Sequence, residues 1–274
     1  MITHNGKTYN ISYNIFDAHT HAFPDAIAAS TMNRLGDGLG IPYYHDGTYA
    51  GLCNYEQKAD KVLLLPIATK PKQAHSVNTW AAQHQNSKLL AFGSVHPDSD
   101  HLADELDEAK QLGLLGIKLH PEYQQFYVDE ERNLRLYEMI FARGMHLVFH
   151  AGVDLGYDPP VHCTPQMLGR VLDAFPDHPI IAAHMAGHQM EEQASELLAG
   201  RRNLWMDMAY VTETLTSEQL ARLSRTHGID RILFATDAPW TDFDSAVNAV
   251  FAAGFDEAEL RAVFYDNAAA LLGI

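Results

Sequence analysis

Residues 14–21 read Asn14-Ile15-Phe16-Asp17-Ala18-His19-Thr20-His21. The apolar, β-branched and aromatic content predicts a strand. Its polar set recurs at every second position, so Asp17, His19 and His21 are expected to project to one side of it. A single histidine on an apolar strand is most often a satisfied core residue. Two imidazoles one residue apart near a strand's end can instead converge on one ion, imidazole being the commonest protein metal ligand. The rest of the chain decides between these readings.

Working outward, short apolar runs recur at 61–68, 89–95, 115–120, 145–151, 179–185, 203–210 and 231–236. With the first they make eight predicted strands. Most are continuously apolar rather than alternating, as expected of parallel strands covered on both faces. Helical patterns lie between them: Leu102, Leu106 and Ala109 share one face, as do Leu134, Tyr137, Ile140 and Phe141, and then Met167, Leu168, Val171, Leu172 and Phe175. Thr164 before Pro165 offers an N-cap and a first-turn proline, and Thr216 with Gln219 three residues on fits a capping box. Eight such alternations predict an α/β fold, a (β/α)8 TIM barrel in one domain over residues 1–274, with an open doubly wound sheet as the other arrangement of the same elements. The longest irregular stretch, 22–57, carries Gly36, Gly38, Gly40, Pro42 and Gly47 and is expected to lie over the barrel mouth as a lid. Residues 244–253 and 257–272 read as closing helices.

Composition narrows the function. The 274 residues are 47% hydrophobic and 20% charged, enough to build a sizeable core. Nineteen Lys and Arg against thirty-five Asp and Glu give a net charge of −16, which repels nucleic-acid backbones and anionic membrane surfaces. Only Cys53 and Cys163 are present, without metal-site or redox spacing, which fits a reducing, cytoplasmic setting. The first residues lack a signal-peptide pattern, and no run reaches the roughly 18 apolar residues of a membrane span. A homo-oligomer is allowed for, the apolar C-terminal helix serving either fold or interface.

The sixteen histidines are not scattered. His120, His150 and His184 end the fourth, fifth and sixth predicted strands, and Asp237 ends the eighth in Phe234-Ala235-Thr236-Asp237. Barrel active sites are assembled from strand ends at that edge. Several imidazoles and a carboxylate there suit a divalent metal, most naturally zinc, with iron, manganese or cobalt also fitting, and such an ion activates water near neutral pH.

The ordered set resembles a known family. His19-Thr20-His21, the Lys in Gly116-Ile117-Lys118-Leu119-His120-Pro121, His150, His184 and Thr236-Asp237 are similar to the amidohydrolase superfamily of metal-dependent barrel enzymes. Ser94-Val95-His96-Pro97-Asp98, Phe234 to Pro239 and Asn267 to Gly273 resemble its amidohydrolase 2 branch, which holds hydrolases alongside decarboxylases related to aminocarboxymuconate-semialdehyde decarboxylase. The resemblance implies that His19, His21 and His150 are metal ligands and that Asp237 is both ligand and proton acceptor. By the same resemblance His184 binds a second ion or acts on substrate or water. Lys118 is then a carbamate bridging two metals or an ion-paired structural residue, with Asp17 as the partner considered. His120 is a ligand, a substrate contact or a polar strand end.

The expected activity is hydrolysis of an amide, ester or lactone of a small organic substrate by metal-activated water, with Asp237, His184 and Lys118 as catalytic residues and one or two zinc-like ions. The first alternative is a lyase, a non-oxidative decarboxylase or hydratase of a carboxylated compound, for which Arg34 or Lys70 would hold the carboxylate. A non-catalytic metal- or ligand-binding barrel is a second. A TatD-like nuclease is a third, disfavoured by Lys118 and the net charge. Tyr123, Gln124, Gln125, Trp240, His96, His162 and Cys163 are candidate neighbours of the mouth, whereas His75, His84 and His101 are expected in solvent.

Overall fold

The computed structural model describes residues 2–4, 7–9 and 13–274, with the backbone alone at 2–4, 7–9 and 213. The chain opens with an antiparallel hairpin, β1 (Ile2–His4) against β2 (Lys7–Tyr9), which the sequence reading had not picked out. The barrel follows. Its strands are β3 (Phe16–Thr20), β4 (Lys61–Leu64), β5 (Leu89–Ala91), β6 (Gly116–Leu119), β7 (His146–Phe149), β8 (Ile180–Ala182), β9 (Leu204–Asp207) and β10 (Ile232–Leu233). β3, β4 and β5 pair in parallel, and so do β6 through β10. A bridge from Gly93 to Ile117 joins the two groups, and one from Thr20 to Ala238 closes the ring. Backbone bonds Ala18 N–H to Phe234 O (3.0 Å) and Asp237 N–H to His19 O (2.9 Å) make that closure continuous. The fold is a (β/α)8 barrel, and the open sheet is excluded.

Each crossover is helical. The stretch after β3 holds α1 (Asp25–Met32), a π-helical turn (Asn33–Asp37), and α2 (Tyr49–Tyr55), so 22–57 is largely ordered helix rather than irregular chain. The outer ring comprises α3 (Ala74–His84), α4 (Leu102–Gln111), a short α5 (Pro121–Gln124) with α6 (Glu131–Phe141), α7 (Pro165–Ala174), α8 (Glu191–Leu198) and α9 (Ser217–His227). α10 (Phe243–Ala252), α11 (Glu257–Arg261) and α12 (Asn267–Leu272) follow the last strand. Thr164 caps α7 through Met167 N–H, and Thr216 with Gln219 forms the capping box of α9, as their sequence patterns require.

Two apolar layers hold the ring. Leu64, Ile117, Leu147, Ile180, Leu204 and Ile232 pack outward against the helices. Phe16, Ala18, Leu63, Phe92, Val148, Ile181 and Leu233 fill the barrel, with Ala268 and Leu272 of α12 packed against the same cluster. Among the described residues no helix is long and apolar enough to cross a membrane.

Candidate active site

Phe16 and Ala18 belong to the barrel filling, so regular alternation would turn His19 outward. A bulge prevents this: between Asp17 and Thr20 the register of β3 against β4 shifts, Asp17 facing Val62 and Thr20 facing Leu64. The extra residue reverses the phase of everything after it. His19 and His21 therefore line the cavity at the mouth, while Asp17 points elsewhere and does not line it. The expectation that all three share one side is corrected. Asp17 instead accepts hydrogen bonds from Thr236 N–H (3.0 Å) and Oγ1 (2.5 Å) and from His19 N–H (3.2 Å), lacing β3 to the residue before Asp237. It faces Glu56, and burial pushes both carboxyls up. Asp17 is thus no ion-pair partner for Lys118.

The ring nitrogens at the mouth have assignable roles. His19 Nδ1 donates to Asp207 Oδ2 (2.8 Å) and His21 Nδ1 donates to the Leu65 carbonyl (2.8 Å). Each Nε2 therefore carries a lone pair, and burial, followed by the Lys118 charge, keeps His19 well below the usual histidine range. The two Nε2 atoms lie 3.2 Å apart and 3.3 and 3.2 Å from Asp237 Oδ1. Three electron-rich atoms in so small a triangle repel one another unless a cation sits among them. The edges match the roughly 3.0–3.4 Å expected between ligands about 2.1 Å from a common ion. Backbone carbonyls and carboxylates on the far nitrogens are the usual supports of metal-binding imidazoles. The donor set fits a divalent metal. Burial pushes the Asp237 carboxyl up, but the surrounding histidines, His19 foremost, outweigh it and hold it down at about 2.

Asp207, at the end of β9, was not singled out from the sequence, although it ends Leu204-Trp205-Met206-Asp207 as Asp237 ends its own run. Besides His19 it accepts from His184 N–H (2.9 Å) and Ala209 N–H (3.1 Å). It thereby holds a strained turn, in which His184, Met185 and Ala186 all have positive φ (58°, 52° and 62°). In that turn His184 Nδ1 donates to the Ala209 carbonyl (2.8 Å), so its Nε2 accepts from His150 Nδ1 (3.0 Å). His150 Nε2 is left buried without a partner. Lys118 is 1% exposed, its Nζ 3.3 Å from His19 Nε2, and burial brings its pKa down to about 8.

His120 sits apart from the triangle. It caps α5 by accepting Tyr123 N–H at Nδ1, stacks on Tyr123 (3.7 Å) and on His150 (4.1 Å), and faces Asp154 Oδ2 from Nε2 at 3.4 Å. His120, His150 and Asp154 form a second group of metal-capable side chains. The two rings, however, are only 14° from parallel, so their planes do not meet at a common point between them as ligation of one ion requires.

All seven residues named from the sequence as catalytic or metal-binding line one cavity of about 760 Å3, open mouth included. Tyr123 and Trp240 also line it. Gln124 is instead buried in bonds to Ala68 O, Val95 O and His120 N–H, and His96, His162, Cys163 and Gln125 stand outside the lining. His75 and His101 are exposed, but His84 is half-buried between Tyr49 and Trp80 and bonded to the Trp80 carbonyl. The lining residues that sequence reasoning missed are mostly apolar, Leu35, Leu39 and Ile41 after β3 and Val153 and Leu155 after β7, and carry no chemical signature.

The family model described as Amidohydrolase matches residues 16–274, from the first residue of β3 onward. The chain belongs to the amidohydrolase family, in its amidohydrolase 2 branch. Among solved structures, an uncharacterised TIM-barrel protein of Bordetella bronchiseptica superimposes with a TM-score of 0.77 at 17% identity, covering 95% of this chain and 98% of the other. A 5-carboxyvanillate decarboxylase of Novosphingobium aromaticivorans, solved with manganese, gives 0.73 at 17% identity over 97% of both chains. A protein named as a probable 2-pyrone-4,6-dicarboxylic acid hydrolase of Acinetobacter baumannii gives 0.67 at 15% identity, covering 95% and 100%. Similarity at that identity establishes the shared barrel. No curated protein matches the chain. Membership of the family makes the protein an enzyme of the superfamily whose His and Asp groups suit a divalent metal.

Proposed function

We propose that this amidohydrolase is a hydrolase of an ester, lactone or amide of a small organic molecule, with one divalent ion, zinc in preference to manganese, held by His19, His21 and Asp237. The observation that carries the reading is the triangle of two Nε2 lone pairs and Asp237 Oδ1 on the floor of an open cavity. An ion bound there supplies Lewis acidity, polarising a carbonyl oxygen and lowering the pKa of water.

The chain's own residues supply the rest. Asp237 is held ionised, and with Oδ1 engaged its second oxygen takes the proton of the attacking water and returns it to the leaving group. His150 Nδ1–H fixes the lone pair of His184 Nε2, and the unpartnered His150 Nε2 is a ready acceptor for a polar hydrogen of substrate or water. Lys118 Nζ, beside His19 at the floor, donates to the oxyanion as it develops. Two unpaired cysteines fit work in a reducing, cytoplasmic setting.

The test measures metal per chain and the product formed, in wild type and His19→Ala. One equivalent of metal lost in the variant, with acid and alcohol or amine released by the wild type, is the expected result. Carbon dioxide from a carboxylated compound without hydrolysis of any ester, lactone or amide would replace hydrolysis by lyase chemistry. Unchanged metal content and turnover in His19→Ala would remove the metal reading.

A further inference from the structure

The decarboxylase and the hydrolase named above carry carboxylates in their substrates' names, and a carboxylate in a cavity calls for a cation beside it. The lining here holds one lysine, Lys118, buried at the floor against His19, and no arginine. Arg34 and Lys70 are both exposed and outside the lining, although the Arg34 charge is felt at Tyr123 and Tyr157. What the wall does hold is a carboxyl, Asp154, beside His120. Tyr123, His188, Tyr210 and Trp240 add polar side chains but no fixed cation, so a carboxylate on the body of a substrate would meet Asp154 and an otherwise largely hydrocarbon surface without a lysine or arginine beside it.

That surface does not stop at the mouth. Leu39 and Leu155 both line the cavity and are 42% and 45% exposed. They stand on the two loops that meet across the mouth, where a Cβ at Gly156 would lie 3.3 Å from Leu39 Cδ1. Tyr43, Tyr44 and Tyr157 on the same loops are also exposed. Among the described residues, two of the eight exposed large apolar side chains thus line the opening and three more stand on the same loops. The apolar lining includes half-buried Leu35 and Ile41 as well as exposed Leu39 and Leu155, and so reaches from the cavity to solvent.

We infer that the substrate is uncharged, an ester, lactone or amide whose apolar chain runs from the reacting carbonyl at the floor out to the rim between Leu39 and Leu155. The inference rests on the hydrolytic reading for its reacting bond and on the cavity wall alone for its chain. Each methylene laid along the wall removes hydrocarbon from water, which predicts roughly a threefold to fourfold gain in binding per carbon until the rim is passed. A terminal carboxylate on the same chain is expected to lose most of that gain.

Two series separate chain from chemistry. The first measures, by calorimetry on the metal-loaded protein, binding of straight-chain primary amides from acetamide to decanamide and of their ω-carboxylated counterparts. The second measures kcat/KM for p-nitrophenyl esters from acetate to decanoate. Affinity rising with length for the neutral amides, falling for the acids and flattened in Leu39→Ser/Leu155→Ser is the expected result. A flat neutral series overturns the inference, as does tighter binding of the carboxylated series, most plainly if Arg34→Ala removes it. A slope unchanged in the double variant overturns it too. Because both leucines are exposed, the variant is expected to fold, and its slope rather than its absolute rate is the readout. Neutral amides that bind with the expected slope while no ester, lactone or amide is hydrolysed would end the hydrolytic reading and leave the assigned chain track in place.

Discussion

At the scale of single residues, the triangle proposed to bind the metal depends on side chains outside it. Asp207 fixes the His19 tautomer through Nδ1 and bonds the His184 backbone from its other oxygen. Asp207→Asn keeps the shape but offers an amide where the ring needs an acceptor, so half the variant's rotamers turn N–H toward N–H. Loss of such a support typically weakens metal affinity about 10- to 100-fold. A chelator-competition titration of Asp207→Asn should show a fall of that size, and unchanged affinity would mean that His19 keeps its tautomer unaided. The histidines and Asp237 were legible because imidazole repeatedly ending apolar runs is rare by chance. Asp207 and Asp154 were not, since an acidic residue after a strand is commonplace and becomes informative only when its partner is known.

At the scale of elements, the bulge in β3 is what the sequence concealed. Asp17, His19 and His21 alternate perfectly as letters, and nothing in Asp-Ala-His-Thr-His marks the inserted residue. The insertion is set by β4, where Val62 and Leu64 take up three residues' worth of β3. Helices were easier, because caps and apolar faces are local, so Thr164 and Thr216 could be placed without neighbours. The loop after β7 shows the opposite limit. Gly152 has φ +86° and bridges His188, and a Cβ there would meet His188 N at 2.1 Å. Only glycine allows this approach. Gly152→Ala must push the 184–188 turn away, and with it His184. It should lower stability by about 1–3 kcal/mol in a denaturant melt and lower turnover more than the melt alone accounts for. Wild-type turnover in the folded variant would show that the turn's placement is not needed.

At the scale of the whole molecule, the barrel was legible from a count of apolar runs, since eight parallel strands close only one way with helices outside. The cavity was not, because its upper wall is built by 22–57 and the loop after β7, whose paths depend on each other. On the proposed reading, the assembled site also ties stability to its ion. An ion at 100 times its Kd adds about 2.7 kcal/mol to the folded state, which for a chain of this size is roughly 5 °C in Tm. Chelation should lower the wild-type melting temperature by that amount and leave His19→Ala unmoved. Equal shifts in both proteins would place the bound metal elsewhere.

The seam of the barrel sets the order of events during synthesis. His19 stands on β3 and Asp237 in the segment after β10, which the Thr20 to Ala238 bridge brings together, and the Asp17–Thr236 bonds beneath them span 219 positions of the chain. At a ribosome's pace of about 5–20 residues per second, β10 leaves roughly 10–40 s after β3. For that interval His19 and His21 wait without their carboxylate, the β3 edge stands open, and the triangle can hold no ion in its finished form. The catalytic centre is thus among the last things the nascent chain completes, and a ribosome stalled before residue 237 leaves a protein with most of its core and none of its chemistry.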